Sequence, residues 1–92
     1  MRKCLKVTVQ GKVQDVSYRA FVQKHAQILG IEGTVKNVED GSVVIYACGT
    51  SDKLDGFIDQ LYKGPSAARV EDVIIEPFVN EKDFRGVFRV IG

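Results

Sequence analysis

One stretch of the chain gathers the residue types that could hold an anion: Gly11-Lys12-Val13-Gln14-Asp15-Val16-Ser17-Tyr18-Arg19. It runs from a strand-like segment into a helix-like one, so several amides near the helix start have no intrahelical acceptor. With the positive end of the helix dipole, those donors form a site for a phosphate or a carboxylate. Arg19, in the first turn, can close over the anion with a planar, two-pronged donor set that lysine cannot copy. An arginine that merely pairs with a surface carboxylate fits the same spacing, and the residues alone leave both readings open. A second polar group, Asn37, falls near the end of a strand that begins just after the helix, so the fold can return it to the helix N-terminus. An uncharged side chain with one acceptor and two donors suits the positioning of a water molecule. Asparagine is also common before turns, and Asp40-Gly41 follows.

The elements that must position these groups are readable from periodicity. Leu5, Val7 and Val9 alternate with Lys6, Thr8 and Gln10, the pattern of a half-buried strand that Gly11 ends. From Tyr18, the apolar residues Phe21, Val22, Ala26 and Leu29 recur at three- and four-residue steps, predicting an amphipathic helix stopped by Gly30. Residues 31–38 and 42–48 are β-rich and flank Asp40-Gly41, which predicts a tight hairpin with both turn residues at positive φ. Thr50 or Ser51 caps a second helix with an apolar stripe of Leu54, Phe57, Ile58, Leu61 and Tyr62, and Gly64-Pro65 stops it. Residues 70–79 read as a strand. Phe84, Phe88 and Val90 alternate with Arg85, Arg89 and Ile91 in a short last one. The order β-α-β-β-α-β plus a final strand predicts an α+β, ferredoxin-like sandwich with two helices on one face of a mostly antiparallel sheet. In that topology the first and third strands are central neighbours, which brings Cys4 and Cys48 to the same end of the sheet and within disulfide reach.

Ninety-two residues make one domain, residues 1–92, because a second core would need more chain. Thirteen Lys and Arg against twelve Asp and Glu leave a net charge of +1, which argues against partners held by bulk electrostatics, such as duplex DNA or an anionic membrane. No apolar run is long enough for a signal peptide or a membrane span, so the expected address is cytoplasmic. There the two cysteines are expected as reduced, unpaired thiols. With one His and two distant Cys, a transition-metal site is not expected. His25, between polar neighbours, is expected at the surface, Lys12 as a solvated loop residue, and Lys82, Asp83, Arg85 and Arg89 as an exposed edge and strand face.

Taken together, Gly11-x-Val13-Gln14-x-Val16-x-Tyr18-Arg19, Ala26-x-x-Leu29-Gly30-Ile31-x-Gly33-x-Val35-x-Asn37, Asp40-Gly41-x-Val43, Gly49 and Gly64-Pro65-x-Ala67-x-Arg69-Val70 closely resemble the acylphosphatase family. The resemblance covers nearly the whole chain, and its signatures GxVQGVxFR and GxVxN are specific in combination. It implies hydrolysis of small acyl phosphates to a carboxylate and inorganic phosphate without metal or cofactor. By position it implies that Arg19 binds the phosphate, that Asn37 orients the water, and that the amides of Gln14, Asp15, Val16, Ser17 and Tyr18 form the cradle. A single chain acting alone on a small molecule, with no nucleic acid and no membrane, is the expected working unit.

The family signature has glycine where this chain has Asp15. Aspartate tolerates the left-handed backbone better than most residues. Its charge, however, sits beside an anion site, and two unit charges about 8 Å apart at an effective dielectric near 20 repel by about 2 kcal/mol before salt screening. A functional but impaired enzyme is expected. Tyr18 in place of phenylalanine is expected to be minor. Two other classes fit less well. One is an acylphosphatase-like phosphate-binding domain with little or no turnover, like that at the start of larger maturation enzymes. The other is an RNA-recognition module of the same topology, for which Arg85-Gly86-Val87-Phe88 falls on the last strand and lacks the paired aromatics that stack bases.

Overall fold

The opening alternation folds as strand β1 (Arg2–Lys12) in a computed structural model that describes residues 2–79 and 84–92. Leu5, Val7 and Val9 are buried, and Lys6 and Thr8 lie on the opposite face. Helix α1 (Tyr18–Leu29) buries Tyr18, Val22 and Ala26, one residue per turn. It ends at Gly30, whose φ of 70° lets its amide reach back to the Ala26 and Gln27 carbonyls. There follow β2 (Glu32–Asn37), β3 (Val43–Thr50), α2 (Ser51–Lys63), β4 (Arg69–Pro77) and β5 (Phe88–Val90).

The strands line up as β4-β1-β3-β2-β5. The first four pair antiparallel, which gives the expected ferredoxin-like sandwich, and β5 adds to β2 in parallel. The core lies between the helices and one sheet face, where Val7, Val9, Val35, Ile45 and Ala47 meet Val22, Ala26, Leu54, Phe57 and Leu61. The Tyr18 hydroxyl, at the start of α1, donates to the Leu61 carbonyl near the end of α2 at 2.7 Å. That carbonyl belongs to the last turn of the helix, where intrahelical donors run out. The hydroxyl that distinguishes Tyr18 from phenylalanine thus fastens the two helices together.

Several details differ from the sequence reading. Cys4 and Cys48 face each other across β1 and β3 and form a disulfide, where free thiols were expected. Register is the reason, since directly opposed residues on neighbouring strands lie within bonding reach. The Asp40-Gly41 turn has a single positive φ, at Gly41 (93°). The chain reverses through three residues, with Val38 N–H on the Ser42 carbonyl and Gly41 N–H on the Val38 carbonyl. Asp40 keeps an ordinary φ and uses Oδ1 to accept from the Ser42 amide (2.9 Å) and hydroxyl (2.6 Å). Phe84 belongs to a turn rather than to the last strand, its carbonyl accepting from the Val87 amide across Arg85 and Gly86, both at positive φ. His25 is half-buried against the Phe21 ring, centroids 4.4 Å apart. Arg85 and Arg89 are exposed as expected, whereas Lys82 and Asp83 lie outside the described residues. No described helix is long and apolar enough to cross a membrane.

Candidate active site

The site begins with a slip in the sheet. The β1–β4 register shifts between Gln10 and Gly11, and Gly11 adopts φ 129°. A side chain there would run into the Arg69 carbonyl, so only glycine lets β4 approach this closely. The bulge delivers the chain from the central strand into the loop 13–17.

Within that loop, Asp15 (φ 57°) and Ser17 (φ 62°) are both left-handed. Left-handed residues interspersed in a loop curl successive amides toward a common point, the geometry of an anion nest. The Asp15 conformation agrees with the tolerance expected of aspartate; that of Ser17 was not anticipated. Ser17 occupies the N-cap position of α1 but makes no side-chain capping bond, and no acidic residue stands in the first turn. The ladder starts with Phe21 N–H on the Ser17 carbonyl at 3.0 Å, which leaves the amides of Tyr18, Arg19 and Ala20 without an intrahelical acceptor.

These groups border a cavity of about 230 Å³ lined by Val13, Asp15, Ser17, Tyr18, Arg19, Ala20, Gln23 and Val90. Arg19 is half-buried there, and among the described residues it makes no ion pair. The predicted residues divide by what their side chains do. Arg19, Asp15 and Ser17 are among the residues that line the cavity, Arg19 half-buried and Asp15 and Ser17 exposed, while Val16 packs on the core. Tyr18 turns its ring inward to α2, and burial pushes its phenol well above its ordinary value, so it can serve an anion only through its amide.

Gln14 points elsewhere. Its Nε2 donates to the Val38 carbonyl (2.8 Å) and the Ser42 carbonyl (2.9 Å), bracing the loop against the β2–β3 hairpin. Asn37 precedes Val38, so this brace holds the arginine loop and the asparagine strand together. A second brace comes from the other side. Val90 lines the cavity, and two residues later the Gly92 carbonyl accepts the Asn37 amide at 2.7 Å. Asn37 itself does not line the cavity. Its Oδ1 is buried without a hydrogen-bond partner, and an unmet buried acceptor costs on the order of 1–3 kcal/mol until a donor arrives.

Val13, Ala20, Gln23 and Val90 were not anticipated as lining residues. Gln23 had a signal: it sits four residues after Arg19, on the same face of the helix. Its Nε2 also donates to the Phe88 carbonyl at 3.0 Å, which holds β5 against α1. Val90 had none, because its place depends on the parallel pairing of β5 with β2. Among the described residues, no three His, Cys, Asp or Glu side chains gather as a metal centre would require.

The comparisons with known proteins converge. The Acylphosphatase family profile matches residues 5–90. Acylphosphatase from Caldivirga maquilingensis is 41% identical over 83 residues, which cover 89% of this chain and 87% of that protein. The solved acylphosphatase from Coxiella burnetii superposes with a TM-score of 0.90 at 40% identity, covering 98% of this chain and 93% of its own. HypF from T. kodakarensis superposes with a TM-score of 0.85 at 30% identity, and this chain covers 12% of it. With the profile running across both the arginine loop and the asparagine strand, the chain belongs to the acylphosphatase family.

Proposed function

We propose that Arg19 and the amides of residues 14–18 bind the phosphoryl group of a small acyl phosphate, and that Asn37 orients the water that attacks it. Hydrolysis of the carboxyl–phosphate bond is the activity that membership in the family carries. The observation that carries the assignment of roles is Arg19, without an ion pair among the described residues, placed after a loop curled by left-handed Asp15 and Ser17 and at a helix start whose amides lack intrahelical acceptors.

The chemistry asks for little more. The leaving carboxylate has a parent-acid pKa near ~4.3, so it departs without a proton donor. The site must hold the phosphoryl group, stabilise charge moving onto its oxygens and aim one water. Arg19 and the amides supply the first two. The partnerless Asn37 Oδ1 suits the third, since it would accept a hydrogen bond from a water and leave the water's lone pair directed at phosphorus. A phosphoryl oxygen of the substrate takes the water's proton. A cavity of about 230 Å³ lies below the ~300–1,000 Å³ of drug-sized sites, in keeping with a small substrate.

A second reading, phosphate binding with little turnover, is favoured by Asp15 in the cavity wall and by the partial match to HypF. Hydrolysis of benzoyl phosphate separates the two. The wild type should turn it over; Arg19→Ala should lose both turnover and phosphate binding; Asn37→Ala should keep phosphate binding and lose turnover. Wild-type kinetics in both variants would overturn the assignment. Phosphate binding without hydrolysis by the wild type would favour the second reading.

A further inference from the structure

We propose that Asp15 makes this site select acyl phosphates whose acyl group carries no negative charge, a refinement that rests on the hydrolase reading above. Among the described residues, the cavity wall holds one cationic side chain, Arg19, and one carboxylate, Asp15. Val13, Ala20 and Val90 are apolar, and Ser17, Gln23 and Tyr18 are uncharged. No ion pair joins Asp15 to Arg19, and none neutralises Asp15 among the described residues. A phosphoryl group claims the only guanidinium and the free amides. A second acid, on the acyl part, then finds no cation on the wall and shares the space with the aspartate. Lys12 is exposed and does not line the cavity.

The geometry keeps this charge close. Asp15 is exposed, but it is left-handed within a loop that Gln14 ties by two hydrogen bonds to the hairpin, so its backbone is held at the cavity wall. A space of about 230 Å³ is roughly 8 Å across, comparable to one Debye length (~8 Å) at physiological salt, so screening weakens the repulsion without abolishing it. Repulsion of the phosphoryl group itself is common to every substrate and lowers all rates together. Repulsion of an acyl carboxylate is extra and sorts one substrate from another. Hydrocarbon and aromatic acyl groups meet no such term and can lie on Val13, Ala20 and Val90.

The test compares butyryl phosphate with succinyl phosphate, which match in carbon number and differ by a carboxylate, using the wild type and Asp15→Asn. Asparagine also tolerates the left-handed conformation, so the loop should keep its shape. The wild type should prefer butyryl phosphate in kcat/KM by about tenfold at low salt, and about 1 M salt should shrink that ratio. In Asp15→Asn both substrates should gain, succinyl phosphate the more, leaving a ratio near twofold. A ratio unchanged by the substitution, or an equal gain for both, overturns the inference while leaving the hydrolase reading intact. If the wild type turns over neither substrate, the hydrolase reading falls. Binding of propylphosphonate against 2-carboxyethylphosphonate then decides the role of Asp15: a preference for the former that Asp15→Asn removes sustains it, and equal affinities overturn it.

Discussion

The two helices begin in opposite ways. Neither N-cap residue makes a side-chain capping bond, but at α2 Thr50 is extended (φ −74°, ψ 156°) and Asp52 stands in the first turn. The Thr50 hydroxyl, together with the amides of Asp52 and Lys53, holds the Asp52 carboxyl below its ordinary value. That end of the molecule answers its own dipole. At α1 the N-cap residue Ser17 is left-handed, no acid follows it, and the first turn carries a cation, Arg19. A positive charge at the positive end of a helix is unfavourable by a few tenths of a kcal/mol up to about 1 kcal/mol. What separates the two ends is therefore who supplies the negative charge. The chain does so within the first turn of α2; the first turn of α1 holds no acid, Asp15 lying on the loop before it, so that turn is left open to a ligand and the fold bears the small cost.

This contrast can be broken most sharply at Arg19. Arg19→Ala should cost about 10³-fold or more in kcat/KM, the scale of losing a charged, two-pronged contact to a developing anion. The same change should leave the thermal midpoint equal or slightly raised, because it removes a misplaced cation from the helix start. A lowered midpoint would mean that Arg19 serves the fold. Next in size, Ala20→Glu gives α1 the solution that α2 already uses. Ala20 is exposed and lines the cavity. The new carboxylate should stabilise the helix by about 0.3–1 kcal/mol and weaken phosphate binding by about tenfold or more, read by calorimetry and thermal denaturation. Unchanged phosphate affinity would place the anion away from the helix N-terminus. Gln14→Ala is smaller again. It deletes two hydrogen bonds to carbonyls and should cost about 1–2 kcal/mol in chemical denaturation. Since the brace sets Arg19 against Asn37, kcat should fall by more than KM rises.

The α1 end was legible in the sequence as far as local rules reach. Glycine at position 11, an arginine in a first turn and an apolar period starting at Tyr18 fix the strand–loop–helix passage, and Gly30 fixes its end. Asp15 at positive φ is compatible with its residue type, which tolerates that conformation without requiring it. Ser17 at positive φ does not, because serine has no preference that requires it; the loop takes that shape only once the Gly11 bulge and the hairpin brace set its two ends. The Gln14 contacts span 24 and 28 residues, and the hydroxyl bond from Tyr18 spans 43. Such contacts exist only after the sheet register is chosen, and no periodicity encodes them. The same holds for the three-residue turn, where an Asp-Gly pair suggested two positive φ values and Asp40 instead bonds Ser42. It holds also for Val90, which reaches the site through a strand that pairs in parallel. The facing cysteines were visible in the topology, whereas their oxidation state was argued from an expected compartment and came out differently.

The smallest expected effect tests the α2 side of the comparison. Asp40 and Asp52 both titrate below their ordinary value of 3.8, Asp40 because the Ser42 hydroxyl and amide bond it, Asp52 because of the Thr50 hydroxyl and neighbouring amides. A carboxyl depressed in the folded state binds fewer protons there than in the unfolded chain. Its contribution is therefore complete above the unfolded pKa, near ~3.9, and fades as pH falls through the lower, folded value. Both groups are exposed, so the effect on the thermal midpoint is slight, about 2 °C or less for Asp52 at its helix start. Asp52→Asn should lower the midpoint at pH 6 by that amount and make its decline between pH 5 and pH 3 shallower. It should not alter kcat for benzoyl phosphate. The Tyr18–Leu61 bond places the start of α1 beside the end of α2, so Asp52 lies at the far end of an antiparallel helix pair from Arg19. A change in kcat on Asp52→Asn would mean that the two helix starts are not independent, and the contrast between a self-satisfied end and a ligand-seeking one would no longer account for where the chemistry sits.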